Sequence, residues 1–240
     1  MKLLIDADFI VYKCCAAAEY DIDYGDDVIF VGSNFSEAYY NIQKELEKIE
    51  KEFFDPTLIL FFSDSTNFRK CVAADYKGHR NRKKPCGYRR AINKLAEEYE
   101  VIRMPSLEAD DAMGIYATSN ENCVIVSPDK DMKQIPGELY NLDERFTITK
   151  EGGWKWFLIQ TLSGDSTDGY SGAPGFGVKT STKFFDQHGY TWSSVVKAFE
   201  SKGLTEDLAL QNARLAKILT ANDYDRRTQL PILYTPDAET

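Results

Sequence analysis

The chain has 240 residues and a mass of 27.3 kDa, which fits one large domain or two small ones. Its 43% hydrophobic and 13% aromatic content excludes disorder as the main state, and no apolar run approaches the roughly 20 residues that span a bilayer. Asp6 and Asp8 interrupt the apolar start, which is unlike a signal peptide. Five cysteines without a Cys-x-x-Cys pair argue against a disulfide scaffold or thiolate zinc site and predict a cytoplasmic protein.

The charge is unevenly distributed. The whole chain carries a net charge of −9, whereas residues 69–94 hold ten lysines or arginines and a single acid, Asp75. This basic segment has two interpretations, a solvated helix or loop and a strip that grips phosphates.

Strands and helices alternate up to about residue 150. Strands are predicted at residues 2–5, 28–31, 57–62, 101–104, 123–126, 139–142 and 146–149. Helices are predicted at 39–53 and 88–99, and a third is predicted to open at Pro105-Ser106 with Ser106 as its cap. Apolar runs without alternation indicate strands buried on both faces. The pattern therefore predicts an α/β domain with a mainly parallel central sheet and flanking helices.

The last third changes character. Helices are predicted near 154–162, 180–187, 192–201 and 205–220, with a Gly-rich stretch at 169–177. We therefore predict an α/β core over 1–153, including the basic segment 69–94 as an arch-like element, and a helical subdomain over 154–240.

Carboxylates follow the predicted strands. Asp6, Asp64 and Asp129 each come after a buried strand, and parallel strands bring their carboxyl ends to one crevice. Further acids reach the same edge; they are Asp8, Glu108, Asp110, Asp111, Asp131, Asp165 and Asp168. So many carboxylates need a counter-charge, and oxygen ligands favour Mg²⁺ or Mn²⁺. Any one of these acids alone is more often a turn or cap residue, so the prediction rests on the joint pattern.

The blocks that hold these acids resemble those of the flap endonuclease or 5′ nuclease family, which includes the nuclease domain of bacterial DNA polymerase I. The matching blocks are Leu4–Asp8, Phe62–Asp64 with Phe68-Arg69, Asp75–Arg80, Glu108–Asp111, Ser127–Asp131 and Gly164–Asp168 running into Gly172–Thr180. They occur in the family's order over about residues 4–185. Within the family, residues 164–172 and 213–219 are most similar to the 5′ exonucleases of short-tailed lytic phages.

The resemblance implies 5′→3′ hydrolysis of duplex DNA, leaving 5′-phosphates, and a PIN- or flap-endonuclease-like fold. It implies one Mg²⁺ or Mn²⁺ held by Asp6, Asp64, Glu108 and Asp110 with Asp111 close by, and a second held by Asp129, Asp131, Asp165 and Asp168. Lys77 and Arg80 would hold the scissile phosphate. The implied DNA contacts are Arg69, Arg82, Lys83, Lys84, Gly175, Gly177, Lys179 and Thr180. The Gly-rich loop 169–180 would act as a helix–hairpin–helix-like element that grips the duplex. In the family, this element often binds K⁺. Asp8 has no counterpart in the family's motifs.

One departure concerns the arch. Only residues 81–87 separate Arg80 from the next helix, and Pro85 and Gly87 would break any helix there. We therefore expect an open or small arch suited to fraying duplex ends.

Two other functions stay open: a PIN-like RNase, or a structure-specific DNA-binding protein without cleavage. The resemblance is also compatible with RNA–DNA hybrids and DNA flaps as substrates, and with a role in phage replication or recombination. A phage-encoded protein would act in the host cytoplasm.

Overall fold

The computed structural model describes residues 1–80 and 83–236. A six-stranded sheet forms its centre, in the order β5-β4-β1-β6-β7-β8. The strands are β1 (Lys2–Asp6), β4 (Thr57–Phe61), β5 (Glu100–Ile102), β6 (Cys123–Val126), β7 (Gly137–Tyr140) and β8 (Arg145–Ile148). All neighbours pair in parallel except β7 and β8. The predicted fold class is confirmed: a mainly parallel sheet with flanking helices.

The central strands are buried on both faces because consecutive apolar side chains point to opposite sides. Leu3 and Ile5 pack with helices α1 (Ala7–Ala17), α2 (Phe35–Lys51) and α4 (Tyr88–Glu98). Leu4 packs on the other face with Met113 of helix α5 (Ala109–Ser119). The sheet is therefore held from both sides, which fixes where its strands end.

Three local predictions differ from the structure. Helix α1 was not predicted; it begins directly after Asp6, whose side chain caps it by accepting the Phe9 N–H at 3.4 Å. The strand predicted at 28–31 is instead β3 (Ile29–Ser33) of an isolated hairpin with β2 (Glu19–Asp23). Helix α5 does not open at Pro105-Ser106. Ser106 has a φ of 57°, and Glu108 is the residue that caps the helix.

The last third is helical, as predicted. Its main helices are α6 (Lys150–Ser163), α7 (Val178–His188), α8 (Trp192–Glu200) and α9 (Glu206–Ala216). They share a second core around Phe157, Phe185 and Phe199. The predicted boundary at residue 153 falls inside α6, so the division into two units stays a prediction.

Short elements complete the chain. They are helix α3 (Arg69–Val72), the 3₁₀ turns Lys130–Gln134 and Ala221–Asp223, and the hairpins β9 (Gly164–Asp165) with β10 (Tyr170–Ser171) and β11 (Tyr224–Asp225) with β12 (Leu230–Pro231). Within the described residues, no helix is both long and apolar enough to cross a membrane.

A carboxylate cleft with a cationic rim

A cleft of about 760 Å³ opens at the carboxyl edge of the sheet. It lies where β1 and β6 end, as expected for ligand sites of parallel sheets. Its lining includes six of the nine predicted metal ligands: Asp6, Glu108, Asp110, Asp129, Asp131 and Asp168. The structure thus brings together carboxylates that lie up to 162 residues apart in the chain.

One group of carboxylates surrounds Asp110. Burial, then the charges of Asp6 and Asp129, hold the pKa of Asp110 well above its usual range. Burial and the charge of Asp8 raise the pKa of Asp6 to about 7, although Asp6 accepts hydrogen bonds from Phe9 N and Ser127 Oγ. These groups are short of positive charge, because burial and like-charge repulsion both disfavour ionisation.

A second group surrounds Asp131 and shares Asp129 with the first. Burial, then the charge of Asp129, raise the pKa of Asp131 to about 7, with Asp165 and Asp168 adding to the effect. Gln160 donates a hydrogen bond to Asp131, and Asp129 accepts the Asp131 N–H at 2.8 Å. The two overlapping groups are therefore joined through Asp129.

Lys77 supplies positive charge at the opposite wall. Its Nζ lies 2.5 Å from Glu108 Oε1 and 3.5 Å from Asp168 Oδ1. Burial alone would raise the pKa of Glu108, but Lys77 and Arg69 outweigh it and lower that pKa to about 2. The Tyr76 hydroxyl lies 3.1 Å from Glu108 and 2.9 Å from Asp168, which orients both carboxylates.

Arg80 and Lys84 extend this cationic rim. Arg80 Nη2 lies 2.8 Å from Asp168 Oδ1, and its Nε donates to the Thr167 carbonyl. Lys84 also lines the cleft, whereas the side chain of Lys83 is exposed outside it. Arg82, a predicted DNA contact, lies outside the described residues. Helix α4 begins only at Tyr88, and residues 83–87 form no helix.

Arg69 and Asp111 form a buried ion pair beside the cleft. Arg69 is among the residues that line the cleft but is only 1% exposed, so its role as a phosphate contact stays a prediction. Its guanidinium makes a two-pronged ion pair with Asp111 at 2.7 and 2.8 Å. Its remaining donors reach Glu108 and the carbonyls of Leu215 and Lys217. Asp111 is fully buried in this pair, and Leu219 N also donates to it. Asp111 therefore balances a buried cation and does not face the cleft.

Asp64 and Asp165 also lie outside the cleft lining. Asp64 accepts the Ser106 N–H and the Thr66 hydroxyl, both at 2.8 Å, and these bonds lower its pKa to about 2. It thereby holds the turn that leads into Glu108. Asp165 accepts a 2.9 Å hydrogen bond from Lys130 and the Thr167 N–H at 2.7 Å. It therefore shapes the hairpin that presents Asp168.

That hairpin is fixed by two glycines in contact. A Cβ on Gly164, which has a φ of 67°, would lie 2.1 Å from Gly172 N. A Cβ on Gly172 would lie 2.2 Å from the Ser163 carbonyl carbon. Side chains at either position would force the strands apart, so the close approach sets where Asp165 and Asp168 stand.

The Gly-rich loop ends at the start of α7. Gly175 has a φ of 86°, whereas Gly177 has an ordinary extended backbone and open space where a Cβ would be. The Thr180 hydroxyl accepts the Gly177 N–H at 2.7 Å and lies 3.2 Å from the Gly175 carbonyl, closing the loop. The contact between Thr180 and DNA stays a prediction. Lys179 is exposed beside it.

Asp8 is a cleft residue that sequence reasoning left out of the ligand set. It lines the cleft, accepts the Ser63 N–H at 2.7 Å and is hydrogen-bonded by the Tyr88 hydroxyl. Asp8 is the second residue of α1, and its place at the cleft agrees with the acids predicted at this edge of the sheet. Tyr76 is 2% exposed; its ring packs in the second core, and its hydroxyl orients Glu108 and Asp168.

The donor set fits hard divalent cations. All the acidic side chains at the cleft are oxygen donors, and three of them have a raised pKa that a nearby cation would reverse. Among the described residues, no three potential ligands stand close enough to form a complete metal site. Mutually repelling carboxylates are expected to stay apart until a cation draws them together.

This arrangement predicts pH-dependent stabilisation by metal. Carboxylates ionise near pH 4 in the unfolded chain, whereas Asp6 and Asp131 ionise near pH 7 in the folded protein. The folded state therefore holds more protons between these values, and the stability of the metal-free protein falls as pH rises from 4 to 7. We expect Mg²⁺ to raise the melting temperature more at pH 8 than at pH 5, as measured by calorimetry. An equal or smaller rise at pH 8 would contradict this.

Comparison with solved structures agrees with the fold. The T5 5′-exonuclease with bound zinc aligns with a TM-score of 0.64 at 14% identity, covering 90% of this chain and 88% of that one. The catalytic core of Rad2 in complex with DNA substrate aligns with a TM-score of 0.57 at 14% identity, covering 99% and 81%. The chain therefore shares its fold with the T5 5′-exonuclease and the catalytic core of Rad2.

Sequence comparison identifies the family. The 5′–3′ exonuclease N-terminal resolvase-like domain matches residues 1–152. The exodeoxyribonuclease of Enterobacteria phage T3 is 30% identical over 98% of this chain and 92% of its own length. The exonuclease of Escherichia phage T7 is also 30% identical, over 93% and 89%. The chain belongs to the 5′–3′ exonuclease family, which confirms the predicted nuclease function.

Proposed function

We propose that this exonuclease uses two divalent cations, Mg²⁺ or Mn²⁺, to hydrolyse phosphodiesters of duplex DNA from 5′ ends or flaps, leaving 5′-phosphates. The observation that carries the proposal is the cleft itself. Two overlapping groups of carboxylates face a rim formed by Lys77, Arg80 and Lys84, and burial raises the pKa of three members, Asp6, Asp110 and Asp131. Carboxylates without a counter-charge can bind divalent cations, and the adjacent basic side chains can bind a phosphate.

Each carboxylate group would hold one cation. Asp6, Glu108 and Asp110 would hold the first, Asp131 and Asp168 the second, and Asp129 stands beside both. When bound, such ions supply a hydroxide-like nucleophile and neutralise developing charge on a phosphodiester. Asp8 joins the first group through its charge on Asp6, whereas Asp64, Asp111 and Asp165 position their neighbours.

The chain's own side chains would orient the substrate. Lys77 and Arg80 now bond to Glu108 and Asp168 and stand beside the carboxylates. From there they can donate to the scissile phosphate as its negative charge builds up. The Lys77 N–H also donates to the Asp168 carbonyl at 2.9 Å, which couples this loop to the hairpin carrying Asp168. Tyr76 keeps the two carboxylates at a fixed separation.

The loop 169–180 would grip the duplex away from the cleft. Helix N-termini favour anions because their first N–H groups have no intrahelical partner. Gly177 leaves that approach open, and Lys179 adds charge. A K⁺ ion at this loop belongs to the same proposal; it would use backbone carbonyls such as that of Gly175, beside the Thr180 hydroxyl.

Gly177→Ala tests this grip. Because a Cβ at Gly177 meets nothing within 4 Å and its φ is −100°, we expect the melting temperature to stay within about 1 °C. If a phosphate approaches this backbone closely, the added methyl group should weaken duplex binding about tenfold, measured by fluorescence anisotropy. Unchanged affinity would remove Gly177 from the interface. Gly175→Ala is the contrasting variant, since its φ of 86° predicts loss of stability.

The direct test of the proposed function is a duplex labelled at the 5′ and 3′ ends of one strand. Short 5′-labelled products, formed with Mg²⁺ or Mn²⁺ and suppressed by EDTA, are the expected result. Matched DNA, RNA–DNA hybrid and 5′-flap substrates would rank the strand types. Binding without cleavage under both metals would instead indicate a structure-specific DNA-binding protein. Because the similar T3 and T7 proteins come from phages, we place the activity in an infected cell's cytoplasm.

A further inference from the structure

The hairpin of β2 and β3 carries an exposed face of acids and aliphatic side chains. It is a two-stranded sheet of its own, apart from the central sheet. Residues paired across antiparallel strands share a face; here Asp21 pairs with Val31 and Asp23 pairs with Ile29. All four are exposed, Val31 by 53% and Ile29 by 62%, and we call them the hairpin face. A lone hairpin is marginally stable in water, so exposed aliphatic side chains on it indicate an interaction surface.

The hairpin is negatively charged throughout. Residues 19–33 contain five acids and no lysine or arginine. Within the described residues, none of these acids forms an ion pair with a cation of the same chain. A nucleic acid would be repelled by this charge, whereas a surface with cations beside apolar groups would match it. The hairpin face therefore fits a protein surface of that composition.

Such a surface exists on this chain, in a groove of about 500 Å³ between α2 and α4. Phe35, Tyr39 and Tyr40 line it from α2, and Arg90 and Lys94 line it from α4. Arg90 Cζ lies 4.1 Å from the centroid of the Phe35 ring, and Lys94 Nζ lies 3.9 Å from that of Tyr39. Across the part of the chain that the structure describes, neither cation forms an ion pair with a carboxylate. The groove thus offers unpaired positive charge beside aromatic rings.

The charges of the two surfaces have matching spacing. Asp21 and Asp23 are two residues apart on a strand, which places their Cα atoms about 7 Å apart. Arg90 and Lys94 are four residues apart on a helix, which places them about 6 Å apart on the same side. Two acids at this spacing can therefore pair with both cations at once.

The hairpin face and the groove are neighbours in the structure. Strand β3 ends at Ser33, and Phe35 of the groove opens α2 two residues later. At the base of the hairpin, Glu19 accepts the Cys86 N–H at 2.6 Å, next to the start of α4. Complementary surfaces side by side on one molecule allow a two-fold symmetric dimer, because each copy then offers both halves of the contact.

We propose that a second copy of this chain is the partner, and that the hairpin face of each copy docks in the groove of the other. Asp21 and Asp23 pair with Arg90 and Lys94 of the other copy, and the aliphatic side chains cover Tyr40, which is 59% exposed. The net charge of −9 on each chain opposes association only weakly, since exposed charges are screened beyond about 8 Å at physiological ionic strength. Neither surface contributes a residue to the described cleft lining, so the dimer does not depend on the proposed function.

Sedimentation velocity of the full-length protein over a range of micromolar concentrations tests this dimer. The parent should reach about twice the chain mass of 27.3 kDa, and added salt should lower the dimer fraction. Arg90→Glu/Lys94→Glu and Asp21→Lys/Asp23→Lys should each raise the dimer dissociation constant at least about tenfold, because every change acts twice in a symmetric dimer. An equimolar mixture of the two variants should dimerise again, since each contact of the mixed dimer joins opposite charges.

Recovery in the mixture also shows that both variants are folded, which separates a lost contact from misfolding. Arg226→Glu/Arg227→Glu is the matched control. It reverses two exposed cations in the turn between β11 and β12, outside both surfaces, and should leave the dissociation constant unchanged. A parent that stays monomeric at every concentration overturns the proposal. So does a mixture that stays monomeric, or a control that weakens the dimer as much as the groove variant does.

Discussion

Asp131→Asn is expected to raise the melting temperature of the metal-free protein at pH 8 and to slow cleavage strongly. Burial and the charge of Asp129 raise the pKa of Asp131 to about 7, so ionised Asp131 is a cost to the empty fold. Asparagine keeps the shape and removes the charge, which should raise the melting temperature by at least about 2 °C. Loss of one cation should slow cleavage by about 10³-fold, since several kcal/mol of charge stabilisation is lost.

The opposite signs of these two effects separate a ligand from a structural residue. A residue needed for folding would lower both stability and activity when replaced. Asp143→Asn is the control, because Asp143 is an exposed acid in the turn between β7 and β8, and it should change neither quantity. Cleavage by Asp131→Asn at the parental rate would remove Asp131 from the site, and a lowered metal-free melting temperature would contradict the electrostatic argument.

Arg69→Gln is expected to destabilise the protein strongly and to leave no soluble active enzyme at elevated temperature. Removing the guanidinium leaves Asp111 as an uncompensated buried carboxylate and takes donors from two carbonyls. Breaking such a pair costs about 3–5 kcal/mol, which corresponds to a fall of about 6–20 °C in melting temperature. Thermal unfolding followed by circular dichroism measures this fall.

Two further variants sharpen the result. Arg89→Gln removes the same charge from an exposed position on α4 and should unfold within about 1 °C of the parent. Arg69→Met/Asp111→Leu removes both buried charges and should recover part of the lost stability. If Arg69→Gln melted like the parent and lost only DNA affinity, the side chain would be the phosphate contact that the sequence motif suggests.

The sequence was sufficient to predict the sheet and the shared edge where carboxylates meet. Continuous apolar runs such as 57–62 and 123–126 identify strands buried on both faces. Asp129, which follows the second run, lines the cleft, whereas Asp64, which follows the first, lies outside its lining. Family motifs added the metal-dependent nuclease function. Both inferences depend on local sequence patterns. In a parallel sheet, such patterns are enough to predict where the strands end and therefore where the acids after them lie.

Side-chain orientation could not be predicted in this way. Arg69 belongs to a motif shared with its catalytic neighbours, yet the partners of its guanidinium come from 39 to 148 residues away. Asp64 turns toward the Ser106 N–H because Ser106 adopts a left-handed backbone, which the pattern around Pro105 conceals. Helix α1, which carries Asp8, was not predicted because it is short and apolar on several sides, without a clear helical stripe.

The buried guanidinium of Arg69 has a consequence for how this enzyme can be dissected. The matched family domain ends at residue 152, but the carbonyls of Leu215 and Lys217 complete the surroundings of Arg69, and Asp168 and Tyr170 complete the cleft wall. A fragment cut at that border would keep the Arg69–Asp111 ion pair, but it would lose two carbonyl acceptors of the guanidinium and part of the cleft wall. We therefore expect that residues 1–152 alone do not form a complete active cleft, because the helices that follow them supply part of its wall.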